Sequence, residues 1–160
     1  MKKKNIDMFY KTLEENSDVV KMASLVIPMT IICNTHYANS RHVVEEFGLT
    51  QSEIDLLATL HLNNGGLTAA EVSERLIFTS GGISKVVKKL ESKNLIYKEV
   101  YKDDKRSYLL YNTEAGNKII ESCIPKFEAH DEKFFEVLTD KEIETIKKAF
   151  KKVIYAWAEE

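Results

Sequence analysis

The stretch from Leu67 to Gly116 constrains the fold of this chain most, because helix-capping signals and a change to β-forming residues follow one another within it. Thr68 and Glu71 have the spacing of a capping box, in which each side chain satisfies a free backbone N–H of the first helical turn. This pattern predicts a short helix from Thr68 to about Leu76.

A second helix is predicted after a short connection, with Thr79 or Ser80 as its N-cap. Apolar residues then recur at i, i+3, i+4 and i+7, which indicates one buried face: Ile83, Val86, Val87 and Leu90. The opposite face carries glycine, hydroxyl and lysine residues: Gly81, Ser84, Lys85, Lys88, Lys89 and Ser92. Such a face suits phosphates and base edges, because lysines supply charge and hydroxyls supply short hydrogen bonds.

A charged hairpin is predicted next, with strands at Leu95–Tyr101 and Ser107–Tyr111 and a polar turn between them. Within the turn, Asp104 is placed to hold the guanidinium of Arg106 extended. The alternative is an ordinary solvated turn. Two short helices followed by a hairpin are the order of elements in a winged helix-turn-helix.

The motifs of this region resemble the multiple antibiotic resistance regulator (MarR) family of bacterial and archaeal transcription factors. The resemblance covers roughly Leu49 to Gly116 and rests on four runs: Ser80–Glu91, Asn94–Ile96, Asp104–Ser107 and Thr113–Gly116. In that family the second helix of the motif lies in the major groove, and the wing arginine enters the minor groove. The resemblance therefore implies DNA contacts, with Asp104 orienting the arginine, from Ser80, Gly81, Ser84, Lys85, Lys88, Lys89, Lys105 and Arg106.

Two positions depart from the family pattern. Asn112 stands where an apolar residue usually precedes the threonine of the next helix, and this affects local packing. Lys105 precedes Arg106 where many relatives have two arginines, and this weakens minor-groove recognition because lysine is a compact, hydrated charge.

The charge distribution favours a nucleic-acid partner although the net charge is −2. From Leu67 to Asn112 there are nine basic and six acidic residues, so the acidic excess lies in the rest of the chain. An acidic body with a basic lobe attracts DNA at the lobe only.

The flanking segments are predicted to be helical, and capping signatures at Thr50, Thr113 and Thr139 each open a helix. We therefore expect a mainly α fold with a small antiparallel β wing. The predicted division is residues 1–48 for dimerisation, 49–112 for DNA binding and 113–160 for dimerisation. The outer helices carry more apolar surface than the central lobe can cover, so a single-chain bundle or a homodimer must cover it, and the resemblance implies the homodimer.

No membrane span or secretory signal is predicted. The apolar run Val19–Cys33 contains Lys21 and Pro28 and is shorter than the roughly 20 residues that span a bilayer. We expect a cytoplasmic protein without a cofactor, and we expect no enzymatic activity, because no phosphate-binding glycine loop or catalytic cluster is present in the sequence.

The cysteines and histidines offer weaker signals. Cys33 and His36 are spaced to share a helix face, as a metal pair would, but a tetrahedral zinc needs four ligands, so we expect no metal. Some members of the family sense oxidants through a first-helix cysteine, which would be Cys33. We expect Cys33 and Cys123 both to be buried, structural thiols.

Together these features predict a homodimeric DNA-binding regulator, most simply a repressor on a pseudopalindromic operator that a small molecule releases. The family places its effector cleft between the dimer helices and the DNA-binding lobe, and the candidate wall residues are His36, Tyr37, Arg41 and His61. The alternatives are a winged-helix module that binds an acidic protein, and a thiol-sensing or metal-sensing variant of the regulator.

Overall fold

The computed structural model describes residues 3–18, 21–63, 66–75, 80–100 and 108–157, and for residues 80 and 81 it describes the backbone alone. The contacts divide the chain into two compact units, Met1–His42 and Val43–Glu160. Among the described residues, no helix combines the length and the apolar character needed to cross a bilayer.

The first unit contains helix α1 (Lys3–Glu15) and most of helix α2 (Ala23–Glu45). Pro28 lies inside α2 without ending the helix. Most apolar side chains described in this unit are exposed, and Leu25, Val26 and Met8 are each more than half accessible to solvent.

The second unit has the order of elements that the sequence predicts. Its helices and strands are α3 (Gln51–Leu62), α4 (Ala69–Arg75), α5 (Ser80–Ser92), β1 (Ile96–Val100), β2 (Tyr108–Asn112), α6 (Glu114–Phe135) and α7 (Asp140–Ala156). The strands pair antiparallel, with Ile96 opposite Asn112 and Val100 opposite Tyr108. Leu67 adds a short bridge to Leu110, so the base of the hairpin has a third strand segment. The mainly α fold with a small β wing is therefore confirmed.

The predicted caps form. Thr50 and Glu53 make both bonds of a capping box at α3, and Thr139 and Glu142 do the same at α7. At α4, the backbone N–H of Thr68 donates to Glu71 at 2.8 Å, and the N–H of Glu71 donates to the Thr68 hydroxyl at 3.2 Å. Each box satisfies N–H groups that a helix start leaves unpaired. For α5, Ser80 is already helical, and Thr79 lies outside the described residues.

The core of the second unit lies where α3, α5, the hairpin and α6 meet. The predicted apolar face of α5 is buried, with Val86 partly buried at its edge. The fully buried apolar side chains include Leu56, Leu57, Val72, Leu90, Leu110, Ile120 and Cys123.

The start of α6 is packed directly against the loop before β1. A Cβ atom added at Gly116 would lie 2.3 Å from the backbone oxygen of Leu95, so this position requires glycine. Thr113 caps α6, and its hydroxyl also donates to the backbone oxygen of Asn94 at 2.8 Å. These contacts fix the beginning of α6 at the base of the hairpin.

An ion pair between a buried glutamate and an exposed lysine joins α3 to the residue after α5. Glu53 is 1% exposed, and one of its carboxylate oxygens lies 3.0 Å from the ammonium of Lys93. The same ammonium donates to the backbone oxygen of Gly48 at 3.2 Å, and the backbone N–H of Thr50 donates to the other Glu53 oxygen at 2.7 Å. Burial raises the pKa of Glu53, but the hydrogen bonds from Thr50 and Lys93 more than offset it, so the net pKa is lowered.

The lowered pKa makes stability depend on pH. The unfolded chain binds a proton at Glu53 more readily than the folded chain does, so this contribution is present above the ordinary glutamate pKa, about 4.3, and is lost as pH falls through the folded value. We predict that Glu53→Gln lowers the free energy of unfolding at pH 7 by about 1 to 3 kcal/mol. Urea denaturation at several pH values should also show a weaker loss of stability in acid for the variant than for the wild type.

Glu99→Gln is the matched control, because Glu99 is an exposed glutamate on β1 with no ion pair among the described residues. It should keep the wild-type pH dependence. The same acid slope in the Glu53→Gln variant and the wild type would mean that the Glu53–Lys93 pair does not stabilise the lobe.

Candidate nucleic-acid interface

The exposed face of α5 carries four of the residues that the sequence assigned to DNA. Ser84, Lys85, Lys88 and Lys89 are all exposed, while Ile83, Val87 and Leu90 hold the other face in the core. Within the described residues, no carboxylate lies within ion-pairing distance of these three lysines. Their ammonium groups are therefore available to an external anion.

The structure leaves five of the predicted contact or orienting residues without described contacts. Ser80 and Gly81 lie in the first turn of α5, and only their backbone is described. Asp104, Lys105 and Arg106 lie in the turn between β1 and β2, outside the described residues. Their proposed roles remain predictions from the sequence.

The described part of the hairpin is braced on its outer face by aromatic rings. Tyr97 and Tyr111 are cross-strand partners, and their rings stack with centroids 5.3 Å apart. Beneath them, a Cβ atom added at Gly66 would lie 2.3 Å from the Tyr111 ring, so this ring rests on the backbone of the segment before α4. The stack therefore stiffens the hairpin near its base, one pair in from Ile96 and Asn112.

Two lysines of the basic lobe are engaged within the protein. Lys93 holds Glu53, as described above, and Lys98 lies 2.7 Å from Glu91 and 4.5 Å from the centre of the Tyr108 ring. Their charges are largely neutralised by internal acids. Both lysines are among the nine basic residues counted in the lobe from the sequence. In the structure they pair with glutamates of the protein, and these pairs hold α5 and the hairpin in place.

The four candidate effector residues lie on two helices. His36, Tyr37 and Arg41 are on α2 in the first unit, where His36 is half-buried and its ring meets that of Tyr37 edge to face at 6.0 Å. His61 ends α3 in the second unit, and its Nδ1 lies 3.0 Å from the side-chain oxygen of Asn117 on α6. A role for these residues in effector binding remains a prediction.

Asn112, which departs from the family pattern, occupies the centre of a polar network. Its amide nitrogen donates to the backbone oxygen of Leu57 at 2.9 Å and to the side-chain oxygen of Asn117 at 3.1 Å. Asn117 thus accepts from both Asn112 and His61. Where the family usually has an apolar residue that packs, this chain has an asparagine whose hydrogen bonds join α3, β2 and α6.

The prediction for the cysteines is half correct. Cys123 is buried on α6, and burial raises the pKa of its thiol, which keeps it protonated and unreactive. Cys33 is exposed, so its predicted burial is wrong. Cys33 follows two isoleucines on α2, but the exposed Ile32 beside it shows that this part of the helix presents apolar residues to solvent.

Sequence analysis missed the two internal ion pairs, although one local signal was available. Glu91 lies in the last turn of α5, where the helix dipole favours a cation, and an acid there needs a compensating charge. Lys98 supplies that charge. No local pattern pointed to Lys93 as the partner of Glu53, because forty residues separate them in sequence.

Taken together, a capped helix pair, a braced antiparallel hairpin and an exposed lysine face define a winged helix-turn-helix protein. The model of the MarR family matches residues 47–107. The chain is 26% identical over 110 residues to the HTH-type transcriptional regulator MhqR of Bacillus subtilis, which covers 69% of this chain and 75% of that protein. It is 29% identical over 123 residues to an uncharacterized HTH-type transcriptional regulator of Bacillus cereus, which covers 76% of this chain and 81% of that protein.

Solved structures share the fold. The MepR–DNA complex of Staphylococcus aureus superposes with a TM-score of 0.74 at 23% identity, over 82% of this chain and 97% of that chain. A mutant MarR from Escherichia coli in complex with operator DNA also gives 0.74, at 19% identity, over 86% of this chain and 96% of that chain. The chain is thus similar to MarR-family regulators: the family model matches its central region, and the fold is shared with MepR and MarR. Its relatives are regulators rather than enzymes, which agrees with the expected lack of catalytic activity.

Proposed function

We propose that the protein binds double-stranded DNA through α5 and the wing, and that it acts as a homodimeric repressor on a pseudopalindromic operator. The observation that carries this proposal is the set of three exposed lysines on one face of α5, which have no carboxylate partner among the described residues. Phosphate contacts supply most of the affinity of such a surface, and base contacts from Ser84 and its neighbours supply specificity. Two structural relatives, MepR of Staphylococcus aureus and a mutant MarR of Escherichia coli, have been solved in complex with DNA.

The wing supplies the second contact in this proposal. The resemblance assigns minor-groove entry to Arg106, and Asp104, two residues earlier, holds its guanidinium extended through a charge-assisted hydrogen bond. A narrow, A·T-rich minor groove attracts an arginine most strongly, because its electrostatic potential is most negative.

Dimerisation is supported by the apolar surface of the terminal helices. On α7, a run of apolar residues at helical spacing is exposed: Ile146, Phe150, Val153, Ile154 and Trp157. Trp157 is 85% exposed, an unusual state for so large an apolar ring. A second copy of the chain would cover this face and would place two copies of α5 about one turn of DNA apart.

In this proposal, an effector releases DNA by changing the distance between the two DNA-binding lobes of the dimer. A small molecule that binds near α2 or His61 would act by changing the spacing of the two DNA-binding lobes, since both α5 helices must enter successive major grooves. Action on the genome also implies that the protein works in the cytoplasm.

For the lysine face, we predict that Lys88→Ala weakens binding about equally for all DNA sequences. Loss of one phosphate contact should reduce the slope of log affinity against log salt by roughly 1. Fluorescence anisotropy at several salt concentrations measures both quantities. Lys147→Ala is the matched control, because Lys147 lies on α7 and pairs with Glu144 at 3.1 Å. An unchanged slope for Lys88→Ala would place the DNA-binding face elsewhere.

For the wing, we predict that Arg106→Ala weakens binding by about 1 to 3 kcal/mol, most strongly on sites with A·T-rich flanks. Asp104→Ala should also weaken binding, although loss of an acid near phosphates would by charge alone tighten it. The double variant should cost little more than Arg106→Ala, since the two residues act as one unit. Tighter binding by Asp104→Ala would leave this turn as a simple solvated loop.

For the dimer, we predict that Phe150→Glu shifts the protein toward monomer, because it places a charge in the apolar face of α7. A central interface residue of this kind raises the dissociation constant by roughly 30-fold or more. Lys151→Glu is the control, because Lys151 lies beside Tyr155, about 100° around α7 from Phe150 and outside its apolar run. Sedimentation equilibrium gives the mass of each variant, and a dimer of unchanged affinity with Phe150→Glu would exclude α7 from the interface.

A further inference from the structure

Lys98 connects three elements of the lobe. Its ammonium lies 2.7 Å from a carboxylate oxygen of Glu91 in the last turn of α5, and 4.5 Å above the ring of Tyr108 on β2. Lys98 itself is in the middle of β1. The side chains of Lys98 and Glu91 are each about one-third exposed, so water screens the pair only in part.

Glu91 is unfavourable where it stands unless a cation accompanies it. The C-terminal turn of a helix carries a partial negative charge, which disfavours a carboxylate. An acid on the helix that is proposed to contact DNA also repels phosphates. Glu91 is thus unfavourable both for the helix and for DNA binding, and its presence indicates a role that offsets these two costs.

Stability is a poor explanation for this role, because an ion pair at the surface contributes little to folding. Orientation is a better one. Each strand of the hairpin has five residues and so spans roughly 17 Å. A rotation of roughly 10° at the base of such a strand moves its far end by roughly 3 Å, the length of a hydrogen bond.

We propose that Lys98 is a positioning residue that fixes the angle between α5 and the hairpin through Glu91 and Tyr108, and does not itself contact phosphate. The pair thereby sets the distance between the major-groove contacts of α5 and the minor-groove contact of the wing. This inference rests on the proposed DNA-binding function.

The test compares Lys98→Met, Glu91→Gln and the double variant on one duplex, selected by the wild-type protein from a random-sequence library. Methionine keeps the apolar stem of Lys98 and removes its charge. Each single variant should weaken binding by about five- to twentyfold, and the double variant should cost little more than either. The salt slope should stay at the wild-type value, whereas Lys88→Ala lowers it by roughly 1.

Glu91→Gln is the decisive variant. If Lys98 contacted phosphate, removal of its internal partner would free the lysine and tighten binding, and Lys98→Met would lower the salt slope. Either result would overturn the proposal. Exchange of the charges, with Lys98→Glu and Glu91→Lys in one chain, should recover part of the lost affinity at the wild-type salt slope, whereas a gain from a new phosphate contact of the lysine at position 91 would raise the slope by roughly 1.

A measurement without DNA separates this inference from the proposed function. Thermal unfolding of the same variants should show midpoints within about 4 °C of the wild type, as expected for a pair that orients rather than stabilises. Nuclear magnetic resonance shifts of β2 amides should change in Lys98→Met and Glu91→Gln alike and recover in the exchanged variant. If these shifts respond as expected but the wild type selects no duplex, the DNA-binding proposal fails. If the amides of β2 do not respond, Lys98 does not position the hairpin.

Discussion

Glu53 is a carboxylate removed from water at the centre of the lobe, and a charge in that position is tolerated only when its oxygens are fully bonded. One oxygen accepts from the helix start at Thr50, and the other accepts from Lys93 at the end of α5. Lys93 also reaches Gly48, which ends the turn after α2 in the left-handed conformation. A single buried charge therefore joins the start of α3 to the end of α5, and the placement of the lysine face follows from it.

The lysines of the lobe divide into two groups with different tasks. Lys93 and Lys98 are held by internal acids, so they fix the geometry of the protein. Lys85, Lys88 and Lys89 project from α5 without a carboxylate partner among the described residues, so they are the ones that can attract an external anion. A net charge counted over the lobe does not separate these groups, because it gives every lysine the same weight.

The sequence predicted the elements of the second unit well because their signals are local. Capping boxes at Thr50, Thr68 and Thr139 depend on residues three apart, and the buried face of α5 depends on a spacing within two turns. The Glu53–Lys93 pair and the bond from Asn112 to Leu57 were not predictable, because they join residues that are distant in sequence. The burial of Cys33 was misjudged for a related reason: apolar neighbours in sequence do not reveal whether another surface covers the helix.

The contact at Gly116 makes the joint between α6 and the hairpin behave differently under compression and under tension. The space between α6 at Gly116 and the backbone oxygen of Leu95 is too small for one methyl group. A movement of α6 toward the hairpin therefore meets steric repulsion at once and moves the hairpin with it. A pull in the opposite direction is resisted by hydrogen bonds, which are those of Thr113 with Asn94 and Leu95 and that of Asn117 with Asn112. The joint thus acts as a mechanical stop on its inward side: movements of α6 toward the hairpin are passed on by direct contact, and movements away from it only through hydrogen bonds, which can stretch and break.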